Sequence, residues 1–150
     1  MKIQKNEVVF DDSKINLIKV CGVYVLLKDL VFSLNDGNWM IQRCEDKESA
    51  IEQFEYVCKM LRYNPNFIKI DGQNILVNIS QVNSLEHVYD EDFKQYGVQL
   101  NYSNQKIVLS DTEKDVAEKW FMDLKDKTTQ FSVNDEQFGE IISDEREYGE

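Results

Sequence analysis

Apolar residues follow two periods along this chain, one typical of strands and one typical of helices. Short β-branched and aromatic runs between turn residues predict strands in both halves of the sequence. The pair Asp36-Gly37 lies between two such runs, and it predicts a tight hairpin because Asp-Gly tolerates the positive φ angles of a primed turn. The sequence therefore favours antiparallel sheets joined by short turns.

Two segments instead carry helical spacing. The first runs from about Asp46 to Arg62 and ends before Asn64-Pro65, since a residue that precedes proline avoids the helical region. Its apolar residues, three, four and three apart, are Ile51, Phe54, Cys58 and Leu61. In the second, Ser110 and Glu113 fit a capping box. The predicted apolar face of that helix comprises Val116, Ala117, Trp120, Phe121 and Leu124. We expect Phe54 and Trp120 to anchor the core.

The strand-and-helix pattern occurs twice. Residues 34–58 match residues 100–124 in hairpin and helix, and the LIKVCG of 17–22 is echoed by the FIKIDG of 67–72. We therefore predict an α+β fold of two tandem copies of a small antiparallel β-sheet packed by one amphipathic helix. The predicted divisions are 1–64 for the first unit, 65–127 for the second, and 128–150 for an acidic C-terminal tail, which either docks through its apolar residues or stays loose.

The charge balance is strongly acidic. The chain has 28 Asp and Glu against 17 Lys and Arg, a formal net charge of −11. Such a surface repels nucleic-acid phosphates, because non-specific binding to DNA needs cations that release counterions. We expect a basic partner and no direct contact with nucleic acid or membrane. The three cysteines show no paired spacing, which indicates reduced thiols in a cytoplasmic protein.

No constellation of residues indicates catalysis. The single histidine, His87, excludes an ordinary zinc site, and its place in a predicted strand suggests a solvent-facing or hydrogen-bonded side chain. No glycine-rich loop follows a strand in the pattern of a nucleotide site. We expect no cofactor, no metal and no enzymatic activity.

The candidate site is a stripe of carboxylates on the first helix, formed by Glu45, Glu48, Glu52 and Glu55. Like charges three and four residues apart repel along a helix. The stripe is therefore either a solvated face or an anionic contact surface for a basic groove. The acidic loop Asp90-Glu91-Asp92 adds a second anionic segment.

Two resemblances extend these observations. The residues Asn35-Asp36-Gly37-Asn38, Ile41, Glu48-Ser49, Ile51-Glu52 and Phe54 resemble the hairpin-to-helix segment of a small acidic anti-CRISPR protein. That resemblance implies a phage-encoded inhibitor that occupies the duplex-DNA site of an RNA-guided nuclease. The strand, turn and helix pattern of 67–124 is similar to that of FlbD-like small sheet domains and implies only a structure.

The expected function is therefore a non-catalytic inhibitor that mimics nucleic acid at a basic groove of a host nuclease or a similar DNA-binding protein. The alternative is a structural or assembly module of a phage or bacterium that acts through sheet edges or apolar helix faces. The sequence leaves the oligomeric state open.

Overall fold

The structure is a computed structural model, and it describes residues 1–128. The chain divides into two compact units, an N-terminal unit of Met1–Gln81 and a C-terminal unit that begins at Val82. The predicted acidic tail lies outside the described residues apart from Thr128. None of the helices in the described part of the chain is long and apolar enough to cross a membrane.

The N-terminal unit contains eight strands and one α-helix. They are β1 (Lys2–Gln4), β2 (Glu7–Val9), β3 (Lys14–Asn16), β4 (Val20–Leu26), β5 (Asp29–Leu34), β6 (Trp39–Arg43), α1 (Lys47–Met60), β7 (Phe67–Lys69) and β8 (Ile75–Asn78). Strands β1, β2 and β3 form a small antiparallel sheet, and the other five form a second antiparallel sheet in the order β6-β5-β4-β8-β7. Short 3-10 helices cover Leu17–Lys19 and Ile79–Gln81.

The predicted hairpin is confirmed, since β5 pairs with β6 in antiparallel register. Gly37 takes a φ of 93° at the turn. The carboxylate of Asp36 accepts a hydrogen bond from the backbone N–H of Asn38 at 2.9 Å. This bond and a side-chain bond to Asn38 lower the pKa of Asp36. The turn is thus held by the side chain of Asp36, while glycine supplies the positive φ.

Helix α1 packs on β4 and β5, and the core lies between them. Phe54 is 1% exposed and belongs to the same core cluster as Val23, Leu30 and Phe32 of the sheet. The buried residues of α1 are Ala50, Phe54 and Val57. The predicted Ile51 and Cys58 each follow one of these residues in the chain and are only partly covered. The hydroxyl of Tyr56 accepts a bond from the N–H of Ile3 at 3.1 Å and ties the small sheet to the helix.

The C-terminal unit is a three-stranded antiparallel sheet covered by one helix. Its elements are β9 (Ser84–Asp90), β10 (Gln95–Asn101), β11 (Lys106–Asp111) and α2 (Lys114–Lys127), with strand order β11-β10-β9. Ala117, Trp120, Phe121 and Leu124 are buried on α2 as predicted, and Val116 is partly covered. The predicted capping box is wrong. Ser110 belongs to β11, the N-cap is Glu113, and the Asp111 carboxylate instead accepts from the N–H of Glu113 at 2.8 Å.

The α+β fold is shown, with two helices and antiparallel sheets. The tandem duplication is not confirmed. Strands β7 and β8 follow the predicted boundary at Pro65, yet β8 pairs with β4 in the sheet of the N-terminal unit. The two echoed segments also differ, because 17–22 forms a 3-10 helix and the start of β4, whereas 67–72 forms β7 and a turn. What the two units share is a three-stranded meander that leads into a helix.

Candidate functional site

The predicted carboxylate stripe is only partly formed. Glu48, Glu52 and Glu55 are exposed along α1, but Glu45 precedes the N-cap and lies outside the helix. The helix begins after Asp46, whose carboxylate accepts from the N–H of Ser49 at 2.7 Å. That bond lowers the pKa of Asp46. The acid that has a defined structural task here is therefore Asp46.

The second anionic segment belongs to the other compact unit. Asp90 ends β9, and its carboxylate accepts from the N–H groups of Asp92 and Phe93 at 3.0 and 3.1 Å. Asp90 and Glu91 also line a depression of about 340 Å³ on the sheet face around Gly97. A Cβ on Gly97 would overlap the carbonyl oxygen of Leu109, which explains the glycine there. The loop is thus an Asx-type turn with exposed carboxylates.

Charge is distributed unevenly between the two units. Residues 1–81 contain ten Lys and Arg and eleven Asp and Glu, a net charge of −1. Residues 82–150 contain seven Lys and Arg and seventeen Asp and Glu, a net charge of −10. The acidic character inferred from the whole chain therefore belongs to the C-terminal unit, and the N-terminal unit is almost neutral.

The N-terminal unit contains a polar groove of about 320 Å³, the asparagine groove, between the Asn16 end of β3 and the loop that precedes β7. Five of its nine lining residues are asparagines, a residue type with a donor and an acceptor at one tip. The lining residues are Asn6, Asn16, Leu17, Ile18, Asn64, Asn66, Phe67, Asn78 and Ser80.

Hydrogen bonds fix which end of the key amides is available. The amide oxygen of Asn16 accepts from the N–H of Ile18, and the amide oxygen of Asn64 accepts from the N–H of Asn66, each at 3.0 Å. Each oxygen already accepts one bond, so the NH₂ groups of Asn16 and Asn64, with two donors each, are the ends with most capacity for a ligand. Neither NH₂ group donates a hydrogen bond to another of the described residues. The groove therefore offers hydrogen-bond donors.

Asn78 is a buried and hydrogen-bonded member of the groove lining. Asn78 is 1% exposed. Its NH₂ group donates to the carbonyl of Val20 at 2.9 Å, and its oxygen accepts from the N–H and the hydroxyl of Ser80 at 3.0 and 2.6 Å. These bonds join β8 to β4 and to the following 3-10 helix. The side chain is held by the fold, and its place among the lining residues gives the groove a polar base.

Cationic residues adjoin the groove along the chain. Lys5 precedes Asn6, Lys19 follows Ile18, and Arg62 lies two residues before Asn64, all three with exposed side chains. The guanidinium carbon of Arg62 lies 4.8 Å from the centroid of the Tyr63 ring. The sequence prediction missed this site, because Asn64-Pro65 was interpreted only as a helix stop. The available signal was the recurrence of asparagine at turns.

The thiols and the histidine of the described residues lie in buried or partly buried positions. Burial raises the pKa of Cys21 to about 12. The pKa values of Cys44 and Cys58 are also raised by burial, which favours the unreactive thiol. His87 is 7% exposed rather than solvent-facing. Within residues 1–128 no group of three or more His, Cys, Asp or Glu side chains is placed to hold a metal ion.

No protein-family model matches the chain, and no curated protein matches it. A similar solved structure is the LytTr DNA-binding domain of a response regulator from Bacillus cereus. The identity is 16% and the TM-score 0.47, over 81% of this chain and 97% of that chain.

This neighbour contradicts the function expected from the sequence. A DNA-binding domain conflicts with an anti-CRISPR-like DNA mimic whose partner is a basic nuclease, and with the exclusion of direct contact with nucleic acid. The prediction was wrong, and the charge distribution shows the physical weakness of its reasoning. It assigned the net charge of −11 to the whole surface, whereas residues 1–81 have a net charge of only −1.

Proposed function

We propose that the N-terminal unit is a non-catalytic nucleic-acid-binding module that contacts phosphate groups through the asparagine groove. The observation that carries the proposal is the pair of amide NH₂ groups, on Asn16 and Asn64, left as donors because their oxygens are bonded within the chain. Phosphate oxygens accept hydrogen bonds and cannot donate them. A groove that offers donors therefore suits a phosphate ligand.

The surroundings of the groove support the same ligand. Phosphates and sugars receive half or more of the hydrogen bonds in protein–DNA complexes, from Arg, Lys, Asn, Ser and backbone N–H groups. Lys5, Lys19 and Arg62 adjoin the groove residues in the chain. The net charge of −1 in residues 1–81 imposes little repulsion on a polyanion. We place this activity in the cytoplasm, where three cysteines without disulfides would stay reduced.

The salt dependence of binding should reflect the small number of cations near the groove. The slope of binding against salt reports the number of phosphates that cations neutralise. Three adjoining cations predict a shallow slope, because each contributes at most about one unit of the logarithmic slope. Neutral amide donors position a phosphate without releasing counterions. The expected binding is therefore weak to moderate and less sensitive to salt than that of proteins with many cationic phosphate contacts.

Replacing Asn16 and Asn64 by Asp tests the groove with little change to its shape. Each carboxylate keeps an oxygen that can accept the turn bond, but it replaces the NH₂ donor with a second acceptor that repels phosphate. We expect the double variant to bind a fluorescent oligonucleotide at least roughly tenfold more weakly in fluorescence anisotropy at about 50 mM salt. Circular dichroism and chemical denaturation should match those of the parent.

The matched control is the pair Gln53→Glu and Asn83→Asp. Both positions are exposed and neither lines the groove, so the control adds the same two negative charges elsewhere. It should bind like the parent to within about twofold, since exposed charges outside the groove lining leave the NH₂ donors in place and are partly screened by salt. If the parent binds no oligonucleotide at low salt, or if the groove variant binds as well as the control, the proposed function is wrong.

A further inference from the structure

Tyr63 is an exposed aromatic residue that directly precedes a lining residue of the asparagine groove in the chain. Its side chain is 85% exposed, and the next residue, Asn64, lines the groove. Exposed apolar residues that occur singly are common and need no explanation. Tyr63 differs in that a cation is already placed on its ring, with the Arg62 guanidinium carbon 4.8 Å from the ring centroid. The ring therefore has one face against a guanidinium and, at this exposure, the other face open to solvent.

The backbone around Tyr63 is fixed on both sides. Leu61 is buried, and its N–H donates to the carbonyl of Val57 at 3.0 Å. The N–H of Asn64 donates to the carbonyl of Leu61, also at 3.0 Å, and the N–H of Phe67 donates to the carbonyl of Asn64 at 3.2 Å. Pro65 restricts the chain further. Tyr63 thus sits at the tip of a turn whose two ends are anchored, which lowers the entropy lost when a ligand stacks on its ring.

A second exposed apolar side chain belongs to the groove itself. Ile18 is 62% exposed and lines the groove, and its backbone N–H donates to the amide oxygen of Asn16 at 3.0 Å. The groove therefore combines NH₂ donors with solvent-exposed apolar surface. Phosphate alone would use only the donors. A ligand that carries both phosphates and flat apolar rings would use both kinds of surface.

We infer, resting on the proposed function, that the groove takes single-stranded rather than duplex nucleic acid, with a base stacked on the open face of the Tyr63 ring. Every base has a flat face that can stack on an aromatic side chain, and arginine adds a cation–π contribution. In a duplex these faces are covered by neighbouring base pairs, so only an unpaired base can reach Tyr63. A single strand also has a lower charge density than a duplex and releases fewer counterions for each phosphate that a cation neutralises.

The test compares three probes of about 20 nucleotides: single-stranded oligo-dT, a duplex of equal length, and an abasic strand that keeps the phosphates without the bases. Fluorescence anisotropy is measured on the full chain for the parent, Tyr63→Ala and Tyr63→Phe. We expect the parent to prefer oligo-dT over both other probes by roughly tenfold. Tyr63→Ala should lose that preference while its binding to the abasic strand stays unchanged, and Tyr63→Phe should keep the preference.

Phe93→Ala is the control, because Phe93 is 75% exposed but lies in the C-terminal unit. It should bind all three probes like the parent. If the duplex binds as tightly as oligo-dT and Tyr63→Ala changes neither, the inference fails while phosphate binding at the groove stands. If the parent binds none of the probes, including the abasic strand, the proposed function fails and the inference fails with it.

Discussion

The imidazole of His87 lies against the ring of Phe121, with 4.1 Å between the ring centroids and 32° between the ring planes. His87 belongs to β9 and Phe121 to α2, so this contact joins the helix to its sheet. Burial, followed by the charge of Lys114, lowers the pKa of His87 from 6.5 to about 4. A proton on the imidazole would place a charge inside the interface between helix and sheet.

This contact predicts that stability falls on acidification. Between pH 6.5 and about pH 4, His87 is protonated in the unfolded chain but stays neutral in the folded chain. Above pH 6.5 this difference has no effect on the free energy of unfolding. As the pH falls below 6.5, His87 lowers the free energy of unfolding progressively, by on the order of 2–3 kcal/mol in total. Denaturation of the parent and His87→Leu at several pH values should show this extra acid sensitivity only in the parent. His87 is the single histidine, so its NMR titration is unambiguous, and a folded-state pKa near 6.5 would contradict the prediction.

Phe54 and Trp120 should each be essential for stability. Phe54 is 1% exposed on α1, and Trp120 is 5% exposed on α2. Replacing either by alanine removes buried apolar surface and leaves a cavity, at an expected cost of about 3–5 kcal/mol in the free energy of unfolding. Phe93→Ala, at a position 75% exposed, is the control and should cost less than about 1 kcal/mol. Similar losses in the free energy of unfolding for Phe93→Ala and Phe54→Ala would contradict the assignment of Phe54 to the core.

Asn78 should be required for the junction between β8 and β4. Its amide bonds the Val20 carbonyl on one side and Ser80 on the other, in a site 1% exposed. Asn78→Leu would leave the Val20 carbonyl without this donor, at an expected cost of about 1–3 kcal/mol. Asn83→Leu, at an exposed loop position whose amide donates a long bond of 3.4 Å to the Ser103 hydroxyl, should have little effect. Chemical denaturation measures both, and an unchanged midpoint for Asn78→Leu would show that water replaces the amide.

The exposed acids of α1 should contribute little to folding. Glu48, Glu52 and Glu55 are all exposed, and neighbours of like charge on a helix repel. Changing all three to Gln should leave the free energy of unfolding unchanged or raise it by less than about 1 kcal/mol. Asp46→Ala, which removes the bond to the Ser49 N–H, should instead lower the thermal midpoint. If the triple Gln variant has a lower thermal midpoint than Asp46→Ala, the three glutamates have a structural role that their exposure does not explain.

Local chemistry determined much of what could be predicted. The hairpin at Asp36-Gly37, the end of α1 before Pro65 and the buried residues Phe54 and Trp120 all depend on backbone preferences or on apolar periodicity within a short window. These features depend on neighbouring residues, because residue type sets the preferred φ angles and spacing over a few positions sets the faces of a helix. The α+β class followed from the same signals.

Only the tertiary structure decided how the pieces combine. Similar sequences at 17–22 and 67–72 form different structures, because Asn16 caps a 3-10 helix at the first and β8 pairs the second into the sheet of β4. The asparagine groove likewise draws residues from four separate stretches between Asn6 and Ser80. Pairing between distant strands depends on burial and hydrogen bonding across the whole unit, which no local pattern encodes. The sequence by itself determined the elements and their anchors, and the long-range pairing decided the boundary between units and the groove.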